Sequence, residues 1–297
     1  MTVNVKLKPF IKWVGGKSYL VDKVKSVFAS EGFDPAKNRF IEPFVGGGGM
    51  VLGLTPARAI IADSNAVLIE LWRAVRDYPT VLICETERII GTINDTDSYN
   101  SVRDEFNRSL NIPECSRINA CRLLALNRTC FNGLYRVNKQ GLFNTPYNKG
   151  STAKKIDKEN ILNVSRYLND NDVTILCCDY RFALQDAKPS DFIYLDPPYY
   201  PINKTTAKFT EYTKNPFLID EQKKLCEDFK RLRFSVGATV VMSNNSVPEI
   251  HKMYRMFNVE ELSVRRSINS KGDKRSGKEC LIWAGEQDDF REFAKML

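Results

Sequence analysis

The sequence predicts an α/β protein built on a mainly parallel sheet, with a run of helices inserted into it. Three observations carry this expectation. Short apolar runs rich in Val, Ile and Phe recur along the chain, helical patterns separate most of them, and from about residue 70 to 168 the alternation gives way to successive helices. Strands separated by helices make βαβ units, whose crossovers set the strands parallel and cover both sheet faces.

Taken in order, the helical pattern "SYLVDKVKSVFAS" (18–30) leads to a strand "RFIEPF" (39–44) and, after a glycine run, a second strand "AIIAD" (59–63). The pattern "AVLIELWRAVRD" (66–77) opens the helical region, which continues through "SYNSVRDEFNRSL" (98–110) and "CSRINACRLLALN" (115–127) into a polar, aromatic, hairpin-like stretch. Strands resume at "VTILCC" (173–178), "FIYLD" (192–196) and "ATVVMS" (238–243), with helices "EQKKLCEDFKRL" (221–232) and "VPEIHKMYRM" (247–256) between and after the last two. The strands "NVEELSV" (258–264) and "ECLIWAG" (279–285) follow closely enough to pair antiparallel at a sheet edge. The expected division is a sheet domain from 1–68 plus 169–297 and a helical unit over 69–168, with a hairpin near 128–145.

Composition narrows the chemistry. The chain of 297 residues is long enough for one large or two moderate domains, and its 43% apolar and 27% charged residues are ordinary for a globular protein. A net charge of +8, from 44 Lys and Arg against 36 Asp and Glu, hints at a polyanionic partner. Eight cysteines contain no C-x-x-C pair and the only histidine is His251, so a metal site is not expected. No apolar segment opens the chain and none reaches the ~18 residues that span a bilayer. A cytoplasmic protein with reduced, buried thiols is expected. Catalysis that needs a histidine base is disfavoured with that residue type so scarce.

Five stretches carry candidate chemistry. In "FIEPFVGGGGMVLGL" (40–54) a strand runs into four glycines and a helix start, a turn that lets a ligand approach the backbone. The dinucleotide fingerprint fails because Val51 stands in place of its third glycine, but Asp63, ending the next strand, is placed to accept from ribose hydroxyls. "KWVGGKS" (12–18) resembles the tail of a phosphate-binding loop, yet Ile11 occupies the required glycine position, which excludes a nucleoside triphosphatase. It leaves a turn presenting Lys12, Trp13 and Lys17.

In "SDFIYLDPPYY" (190–200) a strand ends in an acid and two donor-less prolines. Asp196 supplies an acceptor, Pro197 and Pro198 supply carbonyls, and Tyr199 supplies a flat face, together suiting a planar ring that bears an amine. "LNRTCFNGLYRVNKQGLFNTPYN" (126–148) interleaves Arg128, Phe131, Asn132 and Arg136 with glycines, side chains fit to read base edges or stack. "SVRRSINSKGDKRSGK" (263–278), with six basic residues against one acid, suits a loop that grips phosphates through Arg265, Arg266, Ser267 and Lys271.

In combination, "KWVGGK", "EPFVGGGG", "IIADSN", "LNRTCFNGLYR" with "FNTPY", "DPPYY" and "VRRSINS" resemble the Dam family, the D12 class of DNA adenine-N6 methyltransferases. The matches keep the family's order over roughly residues 9 to 285. The resemblance implies a Rossmann-like, S-adenosylmethionine-dependent methyltransferase fold with an inserted DNA-recognition domain. It implies that Trp13, Lys17, Phe44, Gly46, Gly48, Asp63, Asp179 and Asp196 surround S-adenosylmethionine, which leaves as S-adenosylhomocysteine. It implies that Asp196, Pro197, Pro198 and Tyr199 hold an adenine flipped from double-stranded DNA, with no metal. Phe131 would be the wedge, Asn132 would lie near the opened pair, and Leu134, Arg136, Lys12 and Pro146 would face bases of a GATC-like site. Phe131 in place of an expected Tyr, together with Tyr135 and Thr145, departs from that pattern and leaves the outer bases open. Cytosine N4, an RNA adenine, or a catalytically silent DNA-binding protein of the same fold remain as alternatives. Oligomeric state is not read from the sequence.

Overall fold

The computed structural model of the chain describes residues 6–149, 155–201, 217–265 and 276–284. The described strands form one seven-stranded sheet: β1 (Arg39–Glu42), β2 (Arg58–Asp63), β3 (Asp172–Cys177), β4 (Phe192–Leu195), β5 (Thr239–Asn245), β6 (Asn258–Arg265) and β7 (Ser276–Trp283). Their spatial order is β3-β2-β1-β4-β5-β7-β6. The first five pair in parallel, and β7 inserts antiparallel between β5 and β6. The expected antiparallel edge pair is therefore present, with β6 outermost.

Side-chain alternation explains why the sheet is buried on both faces. Phe40, Phe192, Tyr194, Val241 and Leu281 enter one core, while their strand neighbours Ile41, Ile193, Leu195, Met242 and Ile282 enter the other. Successive residues of a strand point to opposite faces, so a nearly continuous apolar run satisfies both layers at once. The entry ends of β1 and β4 are pinned by a forked ion pair, Arg39 Nε to Asp191 Oδ1 at 3.0 Å and the guanidinium to Oδ2 at 2.6 Å.

Helices α1 (Val21–Ser30), α2 (Val51–Leu54) and α3 (Ala66–Asp77) belong to the first half. The side chain of Asn65 caps α3 by accepting from the Leu68 amide at 3.1 Å. Between α3 and β3 come α4 (Pro79–Thr92), α5 (Thr96–Ser109), α6 (Ser116–Thr129) and α7 (Lys158–Asp170). α6 packs against α3, α4 and α5 and buries Ala120, Cys121 and Leu123–Leu126 almost without a polar face. That is the pattern of a central helix rather than a surface one. α7, which the sequence reading did not single out, packs the stripe Ile161, Val164, Tyr167 and Leu168 on α3, α4 and β3. The second half contains α8 (Tyr180–Ala183), α9 (Ile219–Lys230) and α10 (Pro248–Met253).

All eight cysteines are free, but only Cys121, Cys130, Cys226 and Cys280 are buried. The expectation of buried thiols fails at Cys84 and Cys177, which are exposed. Cys177 ends β3, the sheet's edge strand, where only one neighbour covers it. No helix among the described residues is long and apolar enough to cross a membrane.

Candidate functional site

The parallel strands deliver three acids to one edge of the sheet: Glu42 ends β1, Asp63 ends β2, and Asp196 follows β4. The order of connection reverses between β1 and β4, and open α/β sheets bind ligands beyond the carboxyl ends of strands at such a reversal. One cleft there is lined by Trp13, Lys17, Glu42, Gly46 and Asp196.

Asp196 is the centre of the cluster. Its Oδ1 pairs with Lys17 Nζ at 2.9 Å and accepts from Ser243 Oγ at 3.0 Å. Ser243 lies on β5 and its hydroxyl is 2.9 Å from that of Tyr194. Burial pushes the Asp196 carboxyl up, opposed chiefly by the Lys17 ammonium. Lys17 also donates to the Gly15 carbonyl and stands 4.5 Å from the centre of the Tyr199 ring. Tyr199 donates to Glu279 Oε2 at 3.0 Å, and Tyr19 donates to the same oxygen at 2.5 Å.

The proline corner is braced from behind. Gln222 Nε2 donates to the Pro198 carbonyl at 2.7 Å, and Asn244 Nδ2 donates to Gln222 Oε1 at 3.1 Å. Asn244 Oδ1 in turn accepts from the Tyr200 amide at 2.9 Å. Of the two proline carbonyls expected to face a ligand, that of Pro198 is thus already engaged. Tyr200 packs at the edge of the second core, as a structural residue would.

The glycine loop lies between two tryptophans. Gly46 and Gly48 have φ of 48° and 75°, a region L side chains rarely adopt. A Cβ on Gly46 would come 2.9 Å from Trp13, and one on Gly48 2.4 Å from Trp72. Trp72 Nε1 donates to the Gly46 carbonyl at 3.0 Å. Asp63 ties the loop to β2, its Oδ2 accepting from the Gly46 amide at 3.2 Å and its Oδ1 from the Asn65 amide at 2.9 Å. Burial pushes the Asp63 carboxyl up to about 6. Glu42 is fully buried, accepts from the Val51 amide at 2.9 Å, and is pushed well above the carboxylate range by burial, with Asp196 and Asp63 adding repulsion.

Two expected cofactor residues stand beside this cluster rather than within it. Phe44 stacks on Tyr180 with ring centres 5.2 Å apart. Asp179 is exposed and caps α8, accepting from the Arg181 amide and from Arg181 Nε, each at 3.0 Å.

The stretch after α6 folds back on itself. Cys130 bridges Tyr147 and Val137 bridges Phe143, both antiparallel. Phe131 is 50% exposed in the short helical turn at the hairpin's root, Asn132 next to it adopts φ 56°, and the Phe131 amide donates to the Pro146 carbonyl at 2.8 Å. Arg136 is exposed and donates to Asn144 twice, at 2.7 and 3.0 Å. Lys12 is exposed beside Gly133, while Leu134 is half-buried, its carbonyl accepting from Thr145. Arg128 turns inward and donates to the Phe10 carbonyl at 2.9 Å, with burial pushing its guanidinium down. Arg265 ends β6, and Arg266, Ser267 and Lys271 lie outside the described residues.

A family model for the D12 class N6 adenine-specific DNA methyltransferase matches residues 13–268. The chain belongs to this class. As a D12 methyltransferase it is an α/β enzyme that methylates adenine N6 in DNA, and S-adenosylmethionine is the family's methyl donor. Similar proteins include the type II methyltransferase M1.LlaDCHI of Lactococcus lactis subsp. cremoris, 37% identical over 274 residues, covering 92% of this chain and 93% of that protein. The type II methyltransferase M.MjaIII of Methanocaldococcus jannaschii is 36% identical over 283 residues, 91% and 96% of the two chains. A DNA adenine methylase of Vibrio cholerae is 31% identical over 278 residues, 93% and 95% of the two chains.

The D12 site suits this donor. The glycine loop leaves no room for a Cβ, Lys17 is a cation that a carboxylate could take over from Asp196, and acids end β1 and β2 and follow β4 where a cation and hydroxyls would be received. Glu42, Ser243, Gln222, Asn244 and Glu279 surround Asp196 and the proline corner and were not singled out in the sequence. Glu42 had a signal, since it ends a strand immediately before the glycine loop as Asp63 and Asp196 end theirs. The others had none, because they come from β5, β7 and α9, far away in the chain.

Proposed function

We propose that the enzyme acts on an adenine flipped out of double-stranded DNA within a short GATC-like site, and that Asp196 is the acceptor for its N6 amine. The observation that carries this reading is the Asp196 cluster: one acid at the sheet's reversal point, held by Lys17 and Ser243 through Oδ1 and flanked by the oriented ring of Tyr199. An amine buried in a base stack is out of reach, so the base must leave the duplex.

Trp13, Lys17, Asp63 and the glycines of 46–49 hold the donor, with Phe44 and Asp179 at its edges. When bound, S-adenosylmethionine supplies an electrophilic methyl group. The remaining work belongs to the chain. Tyr199 stacks on the adenine. Asp196 Oδ2 and the Pro197 carbonyl accept from N6, which draws its lone pair out of the ring and toward the reacting face. Holding both reactants in line can account for on the order of 7–11 kcal/mol at best. Lys17 passes from Asp196 to the donor's carboxylate, which frees the acid for the amine. The elevated pKa of Asp196 makes it a better proton acceptor once N6 becomes cationic.

The segment from about 69 to 168 serves as the recognition unit. Phe131 fills the vacated place in the stack, Asn132 lies beside the opened pair, and Lys12, Leu134, Arg136 and Pro146 meet the base edges. Arg128 braces the hairpin's root. Arg265, Arg266, Ser267 and Lys271 grip phosphates.

Asp196→Ala should abolish methyl transfer to duplex DNA while retaining fold and binding of S-adenosylhomocysteine. Normal turnover by that variant would overturn the assignment. A nucleoside digest after labelled transfer separates adenine N6 from cytosine N4, and duplex from single-stranded or RNA substrates.

A further inference from the structure

Tyr135 lies between two residues assigned to base edges, Leu134 and Arg136, yet only 5% of its surface is exposed. Its ring stacks on Trp13 with centres 5.0 Å apart and planes 24° from parallel, and tilts against Phe143 of the returning arm at 5.7 Å. Trp13 also lies against the glycine loop, so near that a Cβ on Gly46 or Gly47 would fall 2.9 or 3.2 Å from it. Asn65 faces the Tyr135 hydroxyl, and the Asn65 amide donates to Asp63.

A second link runs alongside. Asn127 accepts from the Lys12 amide at 3.1 Å and donates to the carbonyls of Lys12 and Gly133 at 2.9 and 2.8 Å. The segment carrying Trp13 is thus pinned at Lys12 to the hairpin's root and stacked at Trp13 on its arm. Within the hairpin, Arg136 is locked to Asn144. A shift of the hairpin on DNA therefore has a direct mechanical route to one wall of the cleft.

We infer that Tyr135 is a positioning residue that couples seating of the hairpin on its target sequence to placement of Trp13 over the methyl-donor cleft. The inference rests on the assignments of cleft and hairpin made under Proposed function. The stack carries the coupling: a ring displaced by the hairpin displaces Trp13, and a Trp13 fixed by the donor fixes the hairpin arm. Coupling between two binding sites is reciprocal, so each ligand must tighten the other by the same factor.

The test is a binding cycle on the full chain, with S-adenosylhomocysteine and a duplex containing the methylated site, read by calorimetry and by tryptophan fluorescence. In the wild type, site-containing duplex should tighten S-adenosylhomocysteine binding about tenfold, within the range usual for coupled sites, and duplex lacking the site should not. Tyr135→Leu, which fills space without stacking, should bring that factor close to one while leaving affinity for duplex lacking the site unchanged. Tyr135→Phe should retain most of the coupling. Melting temperatures identify a variant damaged in its fold, and Tyr135→Phe then carries the test: loss of coupling in that stacked, folded variant overturns the inference. Full coupling in folded Tyr135→Leu also overturns it, as does a wild type that binds both ligands independently. A wild type that fails to bind S-adenosylhomocysteine under any condition instead defeats the cleft assignment.

Discussion

Asp63 carries a charge that pH can switch within the working range. Its carboxyl is pushed up to about 6 because burial outweighs the main-chain amides of Asn65, Gly46 and Ser64. A ribose hydroxyl donating to it favours the carboxylate, so affinity for S-adenosylhomocysteine should be flat above that pH and fall as pH drops through it. For the free protein the sign is opposite. The folded pKa lies above the ordinary 3.8, so the group favours the fold below 3.8 and loses that contribution as pH rises through about 6. Asp63→Asn should flatten both dependences, measured by calorimetry and by thermal unfolding across pH 4.5 to 8. Glu279 is the second residue-scale case. It accepts from Tyr199 and Tyr19 together, so Glu279→Leu should lower kcat about tenfold, roughly the worth of one hydrogen bond, with S-adenosylhomocysteine affinity unchanged. Glu279→Gln keeps an acceptor and should restore much of the rate.

Elements place these residues, and how well each could be read depended on how local its cause was. All seven strands were legible because β-branched and aromatic runs bounded by turn residues signal them directly, and α3 is bounded by the Asn65 cap that the sequence displays. α7 was not singled out in the sequence although it has local marks, the Asp157 cap and the buried stripe Ile161, Val164, Tyr167 and Leu168 that meets α3, α4 and β3. The hairpin was legible as a polar, aromatic stretch interleaved with glycines, but not the inward turn of Arg128, which answers to a carbonyl of Phe10. Arg136→Ala should relax base choice by ~1–3 kcal/mol at one position while leaving non-specific affinity nearly intact. Methylation of a random-sequence library reads the first and salt-dependent binding the second. At the far ends of β1 and β4, Asp191→Ala strands a half-buried guanidinium and should cost about 3 kcal/mol of stability. Denaturant unfolding checks that, with kcat per folded molecule unchanged because the pair sits away from the cleft.

Across the whole molecule, the strand order gathers what the chain keeps apart. Trp13 and Lys17 come from the amino-terminal turn, Glu42 and Asp63 from β1 and β2, Asp196 from β4, Ser243 from β5 and Glu279 from β7. The motifs at Lys17, Asp63 and Asp196 were legible because each has a local signature. The brace formed by Ser243, Gln222, Asn244 and Glu279 was not, because nothing in their own segments marks them and only the sheet order brings them to Asp196. Trp13 and Tyr135 show the same limit, 122 residues apart in numbering yet stacked. The central claim is that Asp196 receives an adenine amine from duplex DNA at the reversal point of this sheet. Its most direct test is a nucleoside digest of duplex DNA after labelled methyl transfer by the wild type and by Asp196→Ala. The account predicts label in N6-methyladenine from the wild type and none above background from the variant, with the variant still folded and binding S-adenosylhomocysteine. Label in methylcytosine, or an undiminished N6-methyladenine yield from Asp196→Ala, would contradict it.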